Sequence, residues 1–285
     1  MRFRVILAAV LASVAILTLL GGTGPIQASE PTTSVHIVKY ASDGETILDE
    51  TTVDYQWLEA NLPVHGDGVT HYYHQGPVFE GDKWDPEETA NLKDKGAVMG
   101  TNICDLCDLV GGMAEDDVVM ICAVDGFCVE FGYESICDPP RRQGPIVLCW
   151  YNGEGAGGGE AQGDGYPPTY FNAMQLVFMA ETTNADGKYV FGNWDMQECL
   201  PEEAQHFYGE LYPSTNGLSV KWVNEIQVYS TETAVASLTE PADNGGSDGQ
   251  SASTSGSNWW IIVVAAIGIV LLLLLGVIVG KAVRR

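Results

Sequence analysis

Apolar positions recur along this chain in distinct rhythms, and each rhythm predicts an element. Between Thr101 and Val110, the residues Ile103, Leu106, Cys107, Leu109 and Val110 fall at three- and four-residue steps, which places them on one face of a short helix. Thr101 or Asn102 can cap its start, and Gly111-Gly112 ends it. A β-branched run from Val118 to Val124, a tight Asp125-Gly126 turn and a returning run from Phe127 to Phe131 predict a hairpin. The rest of the chain is organised around this block. Upstream, Ser34 to Tyr40 alternates apolar and polar residues, and Ser42-Asp43-Gly44 turns it toward a second strand at Glu50 to Tyr55. Tyr55 to Leu62 has helical spacing and stops before Pro63. Downstream, Gly144 to Tyr151 is a continuous apolar run that predicts a buried strand, and Met174 to Ala180 predicts another. Leu218 to Tyr229 closes the domain with a strand whose alternation switches near Val223. Val64 to Leu92 is irregular and rich in Gly, Pro, His and aromatic residues, the mark of a covering or functional loop. Asn152 to Pro168 is a surface loop containing Gly155-Ala-Gly-Gly-Gly159. It lacks the Gly-Lys-Ser/Thr ending of a phosphate loop, and Glu154, Glu160 and Asp164 would repel phosphate.

Both ends of the chain carry much longer apolar runs. Arg2 and Arg4 precede a run from Val5 to Leu20, followed by small and turn-forming residues to Ala28, which predicts a secretory signal peptide over residues 1–28. Residues 259–280 contain no charge and are long enough to cross a hydrocarbon core of ~30 Å as a helix. Trp259 and Trp260 sit where an interfacial anchor belongs, and Lys281, Arg284 and Arg285 form a basic tail over residues 281–285. Positive residues stay cytoplasmic, so the bulk of the chain is expected outside a cell membrane that it crosses once. Residues 237–258, rich in Ser, Gly, Asp and Thr, read as a flexible stalk beneath an exterior domain of residues 29–236. Gly276 and Gly280 match a Gly-x-x-x-Gly helix-association face, the sequence's one candidate dimer contact.

Charge sharpens this picture. Between the two apolar ends lie all 38 acidic residues and only eight basic ones, a net of −30. Nucleic acid and anionic lipid are excluded as partners for such a surface, whereas cations or basic envelope proteins are compatible with it. An acidic coat, a stalk and a short basic tail fit the outer face of a prokaryotic cell, an archaeon's included. Seven cysteines in an exported chain suggest disulfides, but the number is odd, so at least one thiol stays free or pairs between chains. An anoxic exterior would also keep thiols reduced.

The serial order of these segments resembles a known family. Gly100-Thr101 with Leu106, Leu109-Val110 and Gly111-Gly112, then Val118 to Val124, Asp125-Gly126-Phe127, Gly144-Pro-Ile-Val-Leu148 and Ser219-Val-Lys-Trp-Val-Asn-Glu-Ile226 is similar to the sulfite-oxidase-type molybdopterin-binding domain, over roughly Val53 to Tyr229. Tyr55 to Leu62 resembles the short helix before the family's metal-ligand strand. The resemblance implies an α+β fold with a mixed sheet, to which the sequence adds a C-terminal transmembrane helix. In catalytic members a cysteine thiolate between the two helices binds molybdenum, and arginines and histidines hold the cofactor's phosphate. Here no cysteine precedes Cys104, and Lys83, Lys93, Lys95, Arg141 and Arg142 are the only Lys or Arg from Glu45 to Gly187. The expectation is a retained fold without the cofactor.

Two constellations remain as candidate sites. His65, His71 and His74 could supply part of a transition-metal sphere, completed by Asp67, Asp195, Glu198, Cys199 or His206; the alternative is a packed layer of His and aromatic rings. His71 and His74 share a face only if the segment is helical. Cys104 and Cys107 have the Cys-x-x-Cys spacing of a redox or disulfide pair, set against a structural role for Cys107 on the apolar helix face. With a two-residue turn, Cys128 would face Ala123 rather than Cys122, so a disulfide between Cys122 and Cys128 requires a longer loop. No nucleophile elbow or triad is present, and Glu115-Asp116-Asp117 reads as surface charge. The functional expectation is a surface-anchored ligand-, metal- or partner-binding module. An extracellular oxidoreductase using molybdopterin or a His-bound metal, and a structural envelope protein, are the alternatives.

Overall fold

The computed structural model describes residues 30–153 and 163–233. The expected signal peptide, most of the glycine-rich loop, the stalk, the membrane helix with Gly276 and Gly280, and the basic tail lie outside the described residues. Among the described residues no helix is long and apolar enough to cross a membrane.

The fold is α+β, with sheets dominating. Alternation in Ser34–Tyr40 (β1) is realised as a strand whose Val35 and Ile37 enter the core, paired antiparallel with Ile47–Asp54 (β2). Asp54 then caps the helix Tyr55–Asn61 (α1), its carboxylate accepting from the Trp57 N–H at 2.8 Å. The closing strand Val223–Tyr229 (β13) lies parallel to β1 and antiparallel to Val118–Ala123 (β6), which pairs with Cys128–Gly132 (β7). These give a five-stranded mixed sheet in the order β2-β1-β13-β6-β7. A second sheet joins Val98–Asn102 (β5), Ile146–Asn152 (β8) and Gln175–Phe178 (β9).

Strand β8 explains its own continuous hydrophobicity. Ile146, Leu148 and Trp150 point into the main core, while Val147 and Cys149 point the other way, into a second cluster with Tyr170, Val177 and Met179. A strand covered on both faces has no polar alternate positions. Strand β5 was not legible in the apolar pattern because Gly100 and Thr101 interrupt it. Gly100 is required there: a Cβ would stand 2.3 Å from the Leu148 carbonyl oxygen and 2.7 Å from the Cys149 Cα. Asn102 then caps the helix Ile103–Asp108 (α2) by accepting from the Cys104 N–H at 3.1 Å, which resolves the choice between Thr101 and Asn102.

Three sequence expectations are corrected. The hairpin turn is a three-residue loop, not two: Ala123 N–H donates to the Phe127 carbonyl, Gly126 N–H to the Ala123 carbonyl, and Gly126 takes φ 86°. The added residue puts Cys122 opposite Cys128, and the two form a disulfide. The last strand starts at Val223 rather than Leu218, because Thr215–Leu218 is a 3₁₀ turn and Trp222 has φ 55°, resetting the alternation. The irregular stretch from Val64 to Leu92 contains a real strand, Tyr72–Gln75 (β3), paired with Leu92–Asp94 (β4) and parallel to Tyr189–Phe191 (β10). Two short helices, Tyr133–Cys137 (α3) and Asn193–Cys199 (α4), and the small hairpin Phe207–Tyr208 (β11) with Tyr212–Pro213 (β12) complete the domain.

Candidate functional site

The three candidate histidines occupy three different environments. His74 lies on β3, fully buried and edge-on against the stacked rings of Phe178 and Phe191, and its Nε2 accepts from the Phe178 N–H at 3.0 Å. Burial drives its pKa well below 6.5, so it is a neutral ring whose acceptor nitrogen joins β3 to β9. His71 precedes β3, and its Nδ1 meets the Asp94 carboxylate at 2.9 Å, while Asp94 also accepts from the Gly96 N–H. His65 exchanges backbone hydrogen bonds with Gly100, and its Nε2 stands 3.8 Å from Asp105. The segment is a strand, so His71 and His74 do not share a face. Among the proposed completing ligands, Asp67 organises its own turn by accepting from Val69, Thr70 and the Thr70 hydroxyl. His206 packs against Gly217, where a Cβ would stand 2.1 Å from its Nδ1, and Glu198 is exposed. Among the described residues no group of three His, Cys, Asp or Glu converges as a metal site.

The Cys-x-x-Cys spacing does not pair its two members with each other. Cys104 faces α3 and bonds to Cys137, while Cys107, one turn on, points into the core. The second disulfide is Cys122–Cys128, leaving Cys107, Cys149 and Cys199 free. Burial pushes the Cys107 thiol up to about 12 and Cys149 well above its usual range; Cys199 rises to about 11 through burial and the nearby Asp195 charge. None of the three is a thiolate near neutral pH.

These facts bear on the pterin cofactor that the sequence resemblance implies. The resemblance implies a thiolate ligand for molybdenum, and the interval 64–95 contains no cysteine. Its inward-facing residues are engaged by the fold: His74 through Nε2 on β9, with its Nδ1 buried and without a hydrogen-bond partner, and Gln75 on Asp85, the Ala90 carbonyl and the Asn193 N–H. The buried Lys95 donates to Asn216 at 2.5 Å, and Arg142 pairs with Asp195. This donor set does not fit the group.

A buried carboxyl pair, Glu88 with Asp195, is a second perturbed constellation in the domain. Asp85, Glu88 and Asn91 all take positive φ, between 43° and 51°, and so fold the segment between β3 and β4 tightly onto α4. Helix α4 begins at Gly192, which has no side chain to cap it; Glu88 does so from 107 residues away, its Oε1 accepting from the Asp195 N–H at 2.9 Å. Glycine at 192 makes room for this cap, because a Cβ would stand 2.3 Å from the Glu88 carboxyl carbon and displace that side chain. Both carboxyls are nearly inaccessible, and Arg142, about half exposed, pairs with Asp195 across a cleft of about 420 Å³ lined also by Pro86, Thr182, Thr183 and Asn184. Burial first, and the Asp195 charge second, raise Glu88 to about 8; burial also raises Asp195, against the pull of Glu88 and Arg142. Glu88 is therefore the member of the pair that holds a proton near neutral pH, while Arg142 faces Asp195. The arrangement stores one proton inside a helix cap. Asp195 was among the sequence candidates, but as a metal ligand. Glu88 and Arg142 gave no signal of their own beyond the missing cap residue at Gly192.

No family model matches this chain, and no curated protein matches it. Among solved structures it is similar to the sulfane dehydrogenase SoxCD from Paracoccus pantotrophus, with a TM-score of 0.37 and 14% identity over 73% of this chain. The chain spans 40% of that protein chain's length. The similarity to this oxidoreductase is weak.

Proposed function

We propose that this protein is a non-catalytic binding module on the outer face of a cell, tethered by the stalk and single membrane helix read from residues 237–280, with a mixed α+β domain that works without a pterin. The observation that carries the reading is the fate of the donors. Where the family resemblance needs a thiolate, the chain has a strand whose His74 Nε2 and Gln75 amide are taken up by the fold, and the three free thiols are held protonated. Two disulfides support an exterior location, since such bonds persist in oxidising compartments. The Glu88–Asp195 pair supports a structural rather than a catalytic role, because Glu88 caps α4 with the group that a reaction would need free.

Labelling intact cells with a membrane-impermeant amine reagent tests the location. Modification of Lys83 and Lys188 before lysis is expected; modification only after lysis contradicts it. Metal and pterin content tests the other half of the reading.

A further inference from the structure

One surface outside the sites described so far combines exposed rings with charge of one sign. Strand β11 sends its two residues to opposite sides. Phe207 packs edge-on against Trp84 at 5.8 Å, whereas Tyr208 turns outward against Phe79 at 6.0 Å. Phe79 also meets Tyr212 of β12 at 5.0 Å, with both contacts near perpendicular. Such mutual packing would normally accompany burial, yet Phe79 and Tyr208 are each 59% exposed and the adjoining Leu211 is 54% exposed. The hairpin is held in this outward pose at a local cost. Gly209 and Glu210 both have positive φ, and Glu210 at 61° occupies a region that only glycine and asparagine enter freely. Beside the rings opens a cleft of about 620 Å³ lined by Trp84, Phe207, Leu200, Pro201 and Glu202.

The rim decides what fits. Glu80, Asp82, Glu202, Glu203 and Glu210 are exposed around these residues. Lys83, the cation among the described residues of this face, is already used, donating to the Leu211 carbonyl at 3.2 Å and lying over the Trp84 ring. A second copy of this chain is a poor occupant, because each chain carries a net of −30 between its two apolar ends. Anionic partners are excluded for the same reason. Ring faces carry negative potential and attract guanidinium or ammonium groups, and carboxylates at the edge add charge-assisted hydrogen bonds.

We propose that this face docks a basic segment of a partner protein, an arginine or lysine resting on the Phe79–Tyr208–Tyr212 rings between Glu80 and Glu210, and a neighbouring apolar side chain entering the cleft beside Trp84. The proposal rests on the reading of the domain as a binding module and names its partner's chemistry.

The test is a fluorescence-anisotropy titration of the full-length protein in non-ionic detergent, at physiological salt, with a labelled 12-residue Arg-Gly repeat peptide and its Glu-Gly counterpart. The Arg-Gly peptide is expected to bind saturably and the Glu-Gly peptide not at all. Phe79→Ala with Tyr208→Ala is expected to raise Kd at least fivefold, and Glu80→Gln with Glu210→Gln about threefold. Glu45→Gln with Asp49→Asn, which removes the same charge from the distant β2 hairpin, should leave Kd unchanged. Absent binding, or equal weakening by the ring, rim and β2 variants, overturns the proposal, since the peptide would then sense only overall charge. Because the ring residues are more than half exposed, an unchanged thermal midpoint is expected to show that each variant is folded. Metal and pterin analysis of the same preparation reports on the module reading separately, so the two can fail independently.

Discussion

Replacing Glu88 with glutamine should change how stability depends on pH more than it changes stability itself. Glutamine keeps the oxygen that accepts from the Asp195 N–H, and its amide donates to the Asp195 carboxylate as the protonated acid does. In the wild type Glu88 is raised from its ordinary 4.5 to about 8, so between those values the folded state holds a proton that the unfolded state has lost. Stability must therefore fall as pH rises through that window, at up to about 1.4 kcal/mol per pH unit. The window sums to about 5 kcal/mol, and water at the half-exposed Arg142 screens part of it, leaving ~2–3 kcal/mol. Asp195, also raised, contributes with the same sign. His74 and His206, lowered by burial, act with the opposite sign, since the stability they contribute is lost as pH falls below 6.5. The difference between wild type and Glu88→Gln isolates the carboxyl. Urea denaturation of the full-length protein in detergent at pH 5, 6, 7 and 8 measures it. The two proteins should be close in stability at pH 5, and the variant should be the more stable by ~2–3 kcal/mol at pH 8. Parallel pH profiles would refute a buried, protonated Glu88.

Further substitutions probe other parts of the account. Alkylation of denatured, unreduced protein should label Cys107, Cys149 and Cys199 and spare the other four cysteines, as read by mass spectrometry of the peptides. Cys104→Ser should lower stability in chemical denaturation by about 4 kcal/mol, from the 33-residue separation of its disulfide partner, and Cys122→Ser by only about 2 kcal/mol for a separation of 6. His74→Ala should cost ~3 kcal/mol by leaving the Phe178 N–H unpaired and a void beside the stacked Phe178 and Phe191 rings, with no loss of bound metal in elemental analysis. Gly100→Ala should cost at least ~2 kcal/mol in the same denaturation assay, because β5 cannot retreat from β8 without breaking their shared ladder.

Much of the fold was written in local pattern. The alternation of β1, the two-sided hydrophobicity of β8 and the spacing of Ile103, Leu106 and Cys107 each follow from burial on one or two faces, and burial acts residue by residue. The cap of α2 was narrowed locally to Thr101 or Asn102, and the structure uses Asn102. Features that depend on backbone geometry were less visible. One extra residue in the β6–β7 turn decided whether Cys122 met Cys128, and composition alone does not fix a turn's length. Cys104 found Cys137 rather than Cys107 through the placement of α3, a helix too short to show a period. The carboxyl pair was least legible of all. Glu88 is one of 38 acidic residues, and its burial results from a strained turn meeting an uncapped helix distant in sequence.

Metal and pterin analysis of the full-length protein, purified without oxygen, tests the central claim most directly. Elemental mass spectrometry with fluorescence detection of oxidised pterin should find less than one tenth of an equivalent, on the order of background, of molybdenum, tungsten or pterin in a cooperatively folded protein, as expected where no thiolate or arginine cluster is free to hold them. Stoichiometric molybdenum or tungsten with pterin would contradict the account and make the domain an oxidoreductase.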